Sequence, residues 1–298
     1  MTANRKSSLM LVIASYIAAA IAGAAVFALT PGLSALWRIA AADIAATLVI
    51  WALSLIARNA SLYDPYWSVA PAVLFVSYTL HIGKLGAPSL LLLLLLLLWG
   101  VRLTANWARN FPNLKSQDWR YTNFEREYKR LWPLINLFGI QLMPTIVVFL
   151  AMLPAFYVAW APSRPYILTV PAILIAIAAV YLEHTADIQM HRFRSDSGNK
   201  GCVNTSGLWR HIRHPNYLGE IMFWWGIFLT SLSMASLPVA LLAGPLVVTA
   251  LFLFVSIPMM EKRQIGTKPD YRAYQRTTGM LLPRFRHRDE ENKPAEGK

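Results

Sequence analysis

Residues Gly207–Leu232 read GLWRHIRHPNYLGEIMFWWGIFLTSL. The first half carries Arg210, His211, Arg213, His214, Asn216, Tyr217 and Glu220, and the second is an almost unbroken run of apolar and aromatic residues. A bilayer core offers no water to hydrogen-bond with polar groups, so a dense polar cluster opening directly into an apolar span calls for a partner. An anionic ligand held at the membrane surface satisfies that demand. This stretch therefore predicts a helical membrane protein with a polar binding surface at one end of its spans.

The rest of the chain agrees. Hydrophobic residues make up 56% of it and charged residues 14%, against about 25% charged in a soluble domain. Eight helices are expected, at 9–29, 35–57, 66–83, 88–104, 134–160, 165–186, 217–236 and 238–260. Most offer the roughly 20 apolar residues a span requires. The fourth contains nine consecutive leucines, Leu90–Leu98. The fold class is thus an all-α polytopic bundle of about eight transmembrane helices. It forms a single membrane domain over 1–285, followed by a disordered tail, 286–298. Its lone cysteine, Cys202, excludes an intramolecular disulfide.

The formal charge of +13 sorts by loop. The loop after the fourth helix holds Arg109, Lys115, Arg120, Arg126, Lys129 and Arg130. The loop after the sixth holds Arg192, Arg194, Lys200, Arg210 and Arg213, and the tail is basic again. The intervening loops carry only Arg38, Lys84 and Arg164. This asymmetry predicts both termini in the cytoplasm. The charge excess is read as topology, so no nucleic acid is expected as a partner, and no obligate protein partner is implied.

Three segments bring reactive groups to that cytoplasmic face. The sixth helix ends in YLEHTADIQMHRFRSD (181–196), where Glu183 and Asp187 share a side. The loop that follows supplies Lys200, Asn204, Arg210, Arg213, His214, Asn216 and Tyr217, with Gly198, Gly201 and Gly207 permitting close backbone approach. EKRQIGTKPDYRAYQ (261–275) adds Glu261, Arg263, Tyr271 and Tyr274. Cations among amides and tyrosines suit a phosphate-bearing ligand. His211 and His214 have no suitably spaced third ligand, so no metal is expected.

GLWRHIRHPNYLGE, two closely spaced helices, then EKR, DYRAYQ and LLPRF, resemble the C-terminal half of the steroid 5α-reductase-like membrane proteins over about 181–285. That superfamily also holds sterol C=C reductases and isoprenylcysteine carboxyl methyltransferases. The resemblance implies a cofactor-binding half, 134–285, that holds NADPH through Asp187, Arg194, Asn216 and Tyr274, with Glu220 beside Asn216. Where the reductases have an arginine near Cys202, this chain offers Lys200. The likeness is to a bacterial branch of unassigned substrate, and it implies an inner-membrane location.

Residues 1–133 would form the substrate side. In YDPYWSVAPA (63–72), Asp64 stands seven residues before Pro71, where the resembling reductases carry an acid that binds the substrate carbonyl. The tyrosine expected on the next helix is replaced by Trp99. Tyr63 and Tyr66 are the hydroxyls on hand, so Asp64, Tyr63 and Tyr66 are the catalytic candidates. Asp64 also reads as an N-cap before Pro65, and Asp43, an acid within the second span, reads as a partner of Arg38. Two functions follow: an NADPH-dependent reductase of a conjugated C=C bond in a steroid-like or other lipid substrate, or a membrane methyltransferase that uses S-adenosylmethionine on a lipid or prenyl thiol.

Overall fold

A computed structural model describes residues 4–284; the expected tail, 286–298, lies outside the described residues. Among these residues the regular structure is helical: α1 (Arg5–Leu29), α2 (Ala35–Ile56), α3 (Tyr66–His81), α4 (Ala87–Asn110), α5 (Trp119–Tyr128), α6 (Trp132–Ile135), α7 (Met143–Trp160), α8 (Thr169–Ser195), α9 (Pro215–Leu232), α10 (Ala243–Leu251), α11 (Ile257–Thr267) and α12 (Tyr271–Thr277). A π-helical stretch, Asn136–Leu142, leads into α7, and another, Phe252–Ser256, leads into α11. All eight expected helices are present. Six helical segments are long and apolar enough to cross a membrane. The 16-residue α3 is too short for this measure, and α9 opens on Asn216, Tyr217 and Glu220, which lower its hydropathy.

The chain divides into two compact units, Met1–Val180 with Ile221–Leu251, and Tyr181–Glu220 with Phe252–Lys298. These interleave along the sequence, whereas the sequence expectation drew one line at 133/134.

Unit one is built by close helix contacts at small residues, as expected where lipid provides no hydrophobic drive between helices. A Cβ on Gly100 would stand 2.4 Å from the Ser68 carbonyl oxygen, and one on Gly244 would stand 2.6 Å from that of Leu150. These glycines let α4 approach α3 and α10 approach α7. Aromatic rings fill the remaining space. Trp99 is fully buried and stacks on Phe223 at 5.2 Å, with Trp224 edge-on. The residue in the expected tyrosine position is therefore a core residue.

Polar bonds close the loop ends of this unit. Arg5 donates to the carbonyls of Phe111 (3.1 Å) and Ala108 (2.7 Å), satisfying the last turn of α4. Asn59 donates to the carbonyls of Leu114 (2.7 Å) and Ser116 (3.1 Å), and Gln117 accepts from the Ala60 amide. The 57–65 turn is thereby bound to the 111–118 segment.

Unit two is organised around the loop preceding α9. Gly207 has φ +56°, and a Cβ there would collide with the Gln189 side chain at 2.5 Å. Gln189 in turn accepts from the Leu208 amide at 2.9 Å, and the Trp209 indole donates to the Ala186 carbonyl at 3.1 Å. On the loop's other side, the amides of Arg213 and His214 donate to the carbonyls of Gly279 and Met280. The loop is thus held between the end of α8 and the segment after α12.

Candidate functional site

The centre of unit two is a buried charge network. Arg213 Nε donates to Glu261 Oε1 at 2.7 Å, and its Nη1 donates to the carbonyls of Gln275 and Thr278. Glu261 also accepts from Gln275 at 2.8 Å and pairs with His214 Nε2 at 3.1 Å. Arg213 and Glu261 are only 11% and 16% exposed. The His214 ring stacks on Tyr217, with 5.3 Å between centroids and planes 7° apart.

Beside this network lies a cavity of about 120 Å³. Asp187, Arg194, Asn204, Arg213, His214, Asn216, Tyr217, Tyr271 and Tyr274 line it, so three segments distant in sequence converge as expected. Lys200, Arg210, Glu220 and Arg263 do not line it. Lys200, Arg210 and Arg263 are exposed, and Glu220 is buried. Trp209, Gln264 and Lys268 complete the wall, together with Met190, Val203 and Met260; the sequence reading did not select these. Lys268 stands in extended backbone at the end of α11, and nothing in its local sequence marks it as a wall residue.

Charge gives this cavity its character. Burial, and then the neighbouring Arg194 charge, lowers the Lys268 ammonium below its ordinary pKa. Lys268 is half-buried and Arg194 exposed; two cations on one wall repel, and an anion between them relieves that repulsion. Asn204 is buried; its Oδ1 accepts from Ser206, while its Nδ2 has no hydrogen-bond partner among the described residues. A buried donor without an acceptor is costly, and a ligand oxygen would satisfy it. Burial also raises the phenols of Tyr271 and Tyr274 well above the ordinary tyrosine value, so both stay neutral; the Tyr274 hydroxyl already donates to the Trp209 carbonyl. The donor set fits an anionic nucleotide. A cavity of about 120 Å³ has room for one end of a dinucleotide and not for the whole.

Unit one separates the three catalytic candidates. Tyr66 donates to Asp43 Oδ1 at 2.8 Å and lines an apolar cavity of about 270 Å³. Tyr63 is fully buried and shares a hydrogen bond with Thr145 Oγ1 at 2.8 Å. Asp64 accepts from the Tyr121 hydroxyl at 2.8 Å and lines neither cavity. It does not cap α3: Pro65 takes the cap position and no side chain bonds there. Nor does Asp43 pair with Arg38. That guanidinium donates to the Phe27 carbonyl and lies over the Phe27 ring, because it can satisfy itself at the end of α1.

Burial, and then the Asp118 charge, pushes the Asp64 carboxyl up from 3.8 to about 7, against the opposing Tyr121, Arg120 and Ser61. The folded state then binds this proton more tightly than the unfolded chain does. The resulting stability is fully present below the unfolded value and is lost as pH rises toward 7. Asp64→Asn should flatten the dependence of melting temperature on pH between these limits. An unchanged slope in the variant would show that Asp64 titrates normally.

A family model described as "Protein of unknown function (DUF1295)" matches residues 50–278. An uncharacterized protein of Schizosaccharomyces pombe, C594.04c, is 26% identical over 274 residues, covering 80% of this chain and 76% of the relative. No solved structure matches.

Proposed function

We propose that this chain, which belongs to the DUF1295 family related to the steroid 5α-reductase-like membrane proteins, is a membrane reductase using NADPH to saturate a conjugated C=C bond in a lipid. The single observation that carries this reading is the Lys268–Arg194 pair beside the unpartnered Asn204 amide in the unit-two cavity. Phosphate groups suit two adjacent cations. S-adenosylmethionine bears a cationic sulfonium and would add to the repulsion, so the methyltransferase reading ranks second.

When bound, NADPH supplies a hydride to the β-carbon of the substrate. In this reading Arg194, Lys268 and Asn204 hold its phosphates, and the stacked His214–Tyr217 pair gives a flat face for a ring. A hydroxyl that donates to the substrate oxygen would stabilise the negative charge that develops there. In unit one Tyr66 is assigned that role: a protonated Asp43 would donate to the Tyr66 oxygen and free the phenol hydrogen for the substrate. Asp64 holds Tyr121 and takes no part in the reaction. Both termini are assigned to the cytoplasm on the loop-charge asymmetry, and the bacterial inner membrane is assigned on the family resemblance alone.

Purified protein in detergent should be stabilised by NADPH and not by S-adenosylmethionine. A ligand at 100 times its Kd adds about 2.7 kcal/mol. Arg194→Ala and Lys268→Ala should each weaken NADPH binding by about 1–3 kcal/mol. Stabilisation by S-adenosylmethionine alone would replace the reductase with the methyltransferase.

A further inference from the structure

One face of α2 carries Asp43, Thr47 and Ser54, and the helical segment from Asn136 through α7 meets it with Asn136, Gln141 and Thr145. Each of these six polar residues is less than 5% exposed. From Asp43 the chain of bonds has one gap, between Tyr66 and Thr47. Tyr66 donates to Asp43 Oδ1. Thr47 Oγ1 and Thr145 Oγ1 are 3.1 Å apart, and Thr145 Oγ1 and Tyr63 Oη are 2.8 Å apart. Toward the Ile56 end of α2, Ser54 Oγ accepts from Asn136 at 3.1 Å and from Gln141 at 3.0 Å.

Polar residues between membrane helices often serve only as packing glue. Glue alone leaves two features unexplained. Gln141 Oε1 is buried with no hydrogen-bond partner among the described residues. A void of about 10 Å³, room for one water, sits against Asp43, Tyr66 and Thr145. Its lining is mostly apolar, but it touches the hydroxyl residues on both sides of the gap, Tyr66 and Thr145. A buried acceptor and a water-sized space at the gap are what a water-completed hydrogen-bond chain requires.

We infer that this seam is a proton relay, in which Tyr63, Thr145, Thr47 and Tyr66 carry protons to Asp43 and the Ser54–Asn136–Gln141 group admits water behind them. Each hydroxyl passes its proton forward and takes one from the neighbour behind it. The net event is one proton moved from solvent to Asp43, with every hydroxyl restored. Saturating a double bond consumes one hydride and one proton, so each turnover of the proposed reductase draws one proton from this seam. The inference rests on that reading only for the proton's use.

The test follows the infrared carboxyl stretch of the full-length protein in lipid nanodiscs after transfer to D2O. The band lost in Asp43→Asn identifies Asp43. Thr145→Val should slow its exchange by about 10²-fold, the low end of what a positioned proton-transfer group contributes. Thr145→Ser should exchange like the unsubstituted protein. So should Thr104→Val, which removes a hydroxyl bonded to Ser68 outside the seam. Thr47→Val gives an independent reading should Thr145→Val fail to fold. Equal rates in the Val variants and the unsubstituted protein, or no band lost in Asp43→Asn, would overturn the relay. Neither cofactor nor substrate enters this measurement, so its failure leaves the NADPH reading standing, and loss of that reading leaves the relay standing.

Discussion

Arg213→Ala should cost about 3 kcal/mol, the low end of the range for removing one partner of a buried ion pair, since the two side chains keep 11% and 16% exposure. That is a large part of the 5–15 kcal/mol by which a domain is typically stable. The cost has a specific origin. The variant strips the carbonyls of Gln275 and Thr278 of a donor and leaves the Glu261 carboxylate with only His214 and Gln275. The loop before α9 would lose its main side-chain tie to the segment around α12. Arg213→Lys should recover little, because one ammonium does not reproduce a planar fork that serves a carboxylate and two carbonyls. Thermal unfolding in detergent measures both variants. Melting of Arg213→Ala within a degree or so of the parent would show that the network contributes little.

Tyr66→Phe should lower reductase turnover by about 10²–10⁴-fold, the range for losing a positioned proton donor. NADPH affinity should stay within a factor of two or so, since the ring remains and only a hydroxyl is lost. The assay is NADPH oxidation across a panel of conjugated lipid enones. Asp64→Asn is the paired variant. With Asp64 accepting from Tyr121 and facing neither cavity, it should turn over close to the parent rate. Full activity in Tyr66→Phe with a collapse in Asp64→Asn would reverse the two roles.

The helices were legible because apolar length alone specifies a span, and the leucine run and the 35–57 stretch need no partner to be read. Helix α5 was not, although Asp118 caps it through the Arg120 amide: ten residues in a basic loop carry no apolar signature. The unit-two cavity was largely legible because its polar residues cluster beside spans. Lys268 escaped because nothing in GTKPD marks a lysine as facing Arg194. In unit one the motif named Asp64, Tyr63 and Tyr66 together, and the structure separates them. Asp64 and Tyr66 are two residues apart, yet each takes its partner from far away, Tyr121 in one case and Asp43 in the other. Local spacing is silent on such pairings; the packing of α2 against α3 decides one and the placing of α5 beside the turn before α3 decides the other.

The bond between Arg5 and the end of α4 also bears on how the protein is made. Its acceptors lie 103 and 106 residues further along the chain. Synthesis is vectorial, so Arg5 reaches the membrane surface long before Ala108 and Phe111 exist. Through that interval its guanidinium must be served by water or lipid headgroups. The first helix therefore completes its anchoring only after the fourth has been inserted, and α1 to α4 mature as one assembly event rather than span by span.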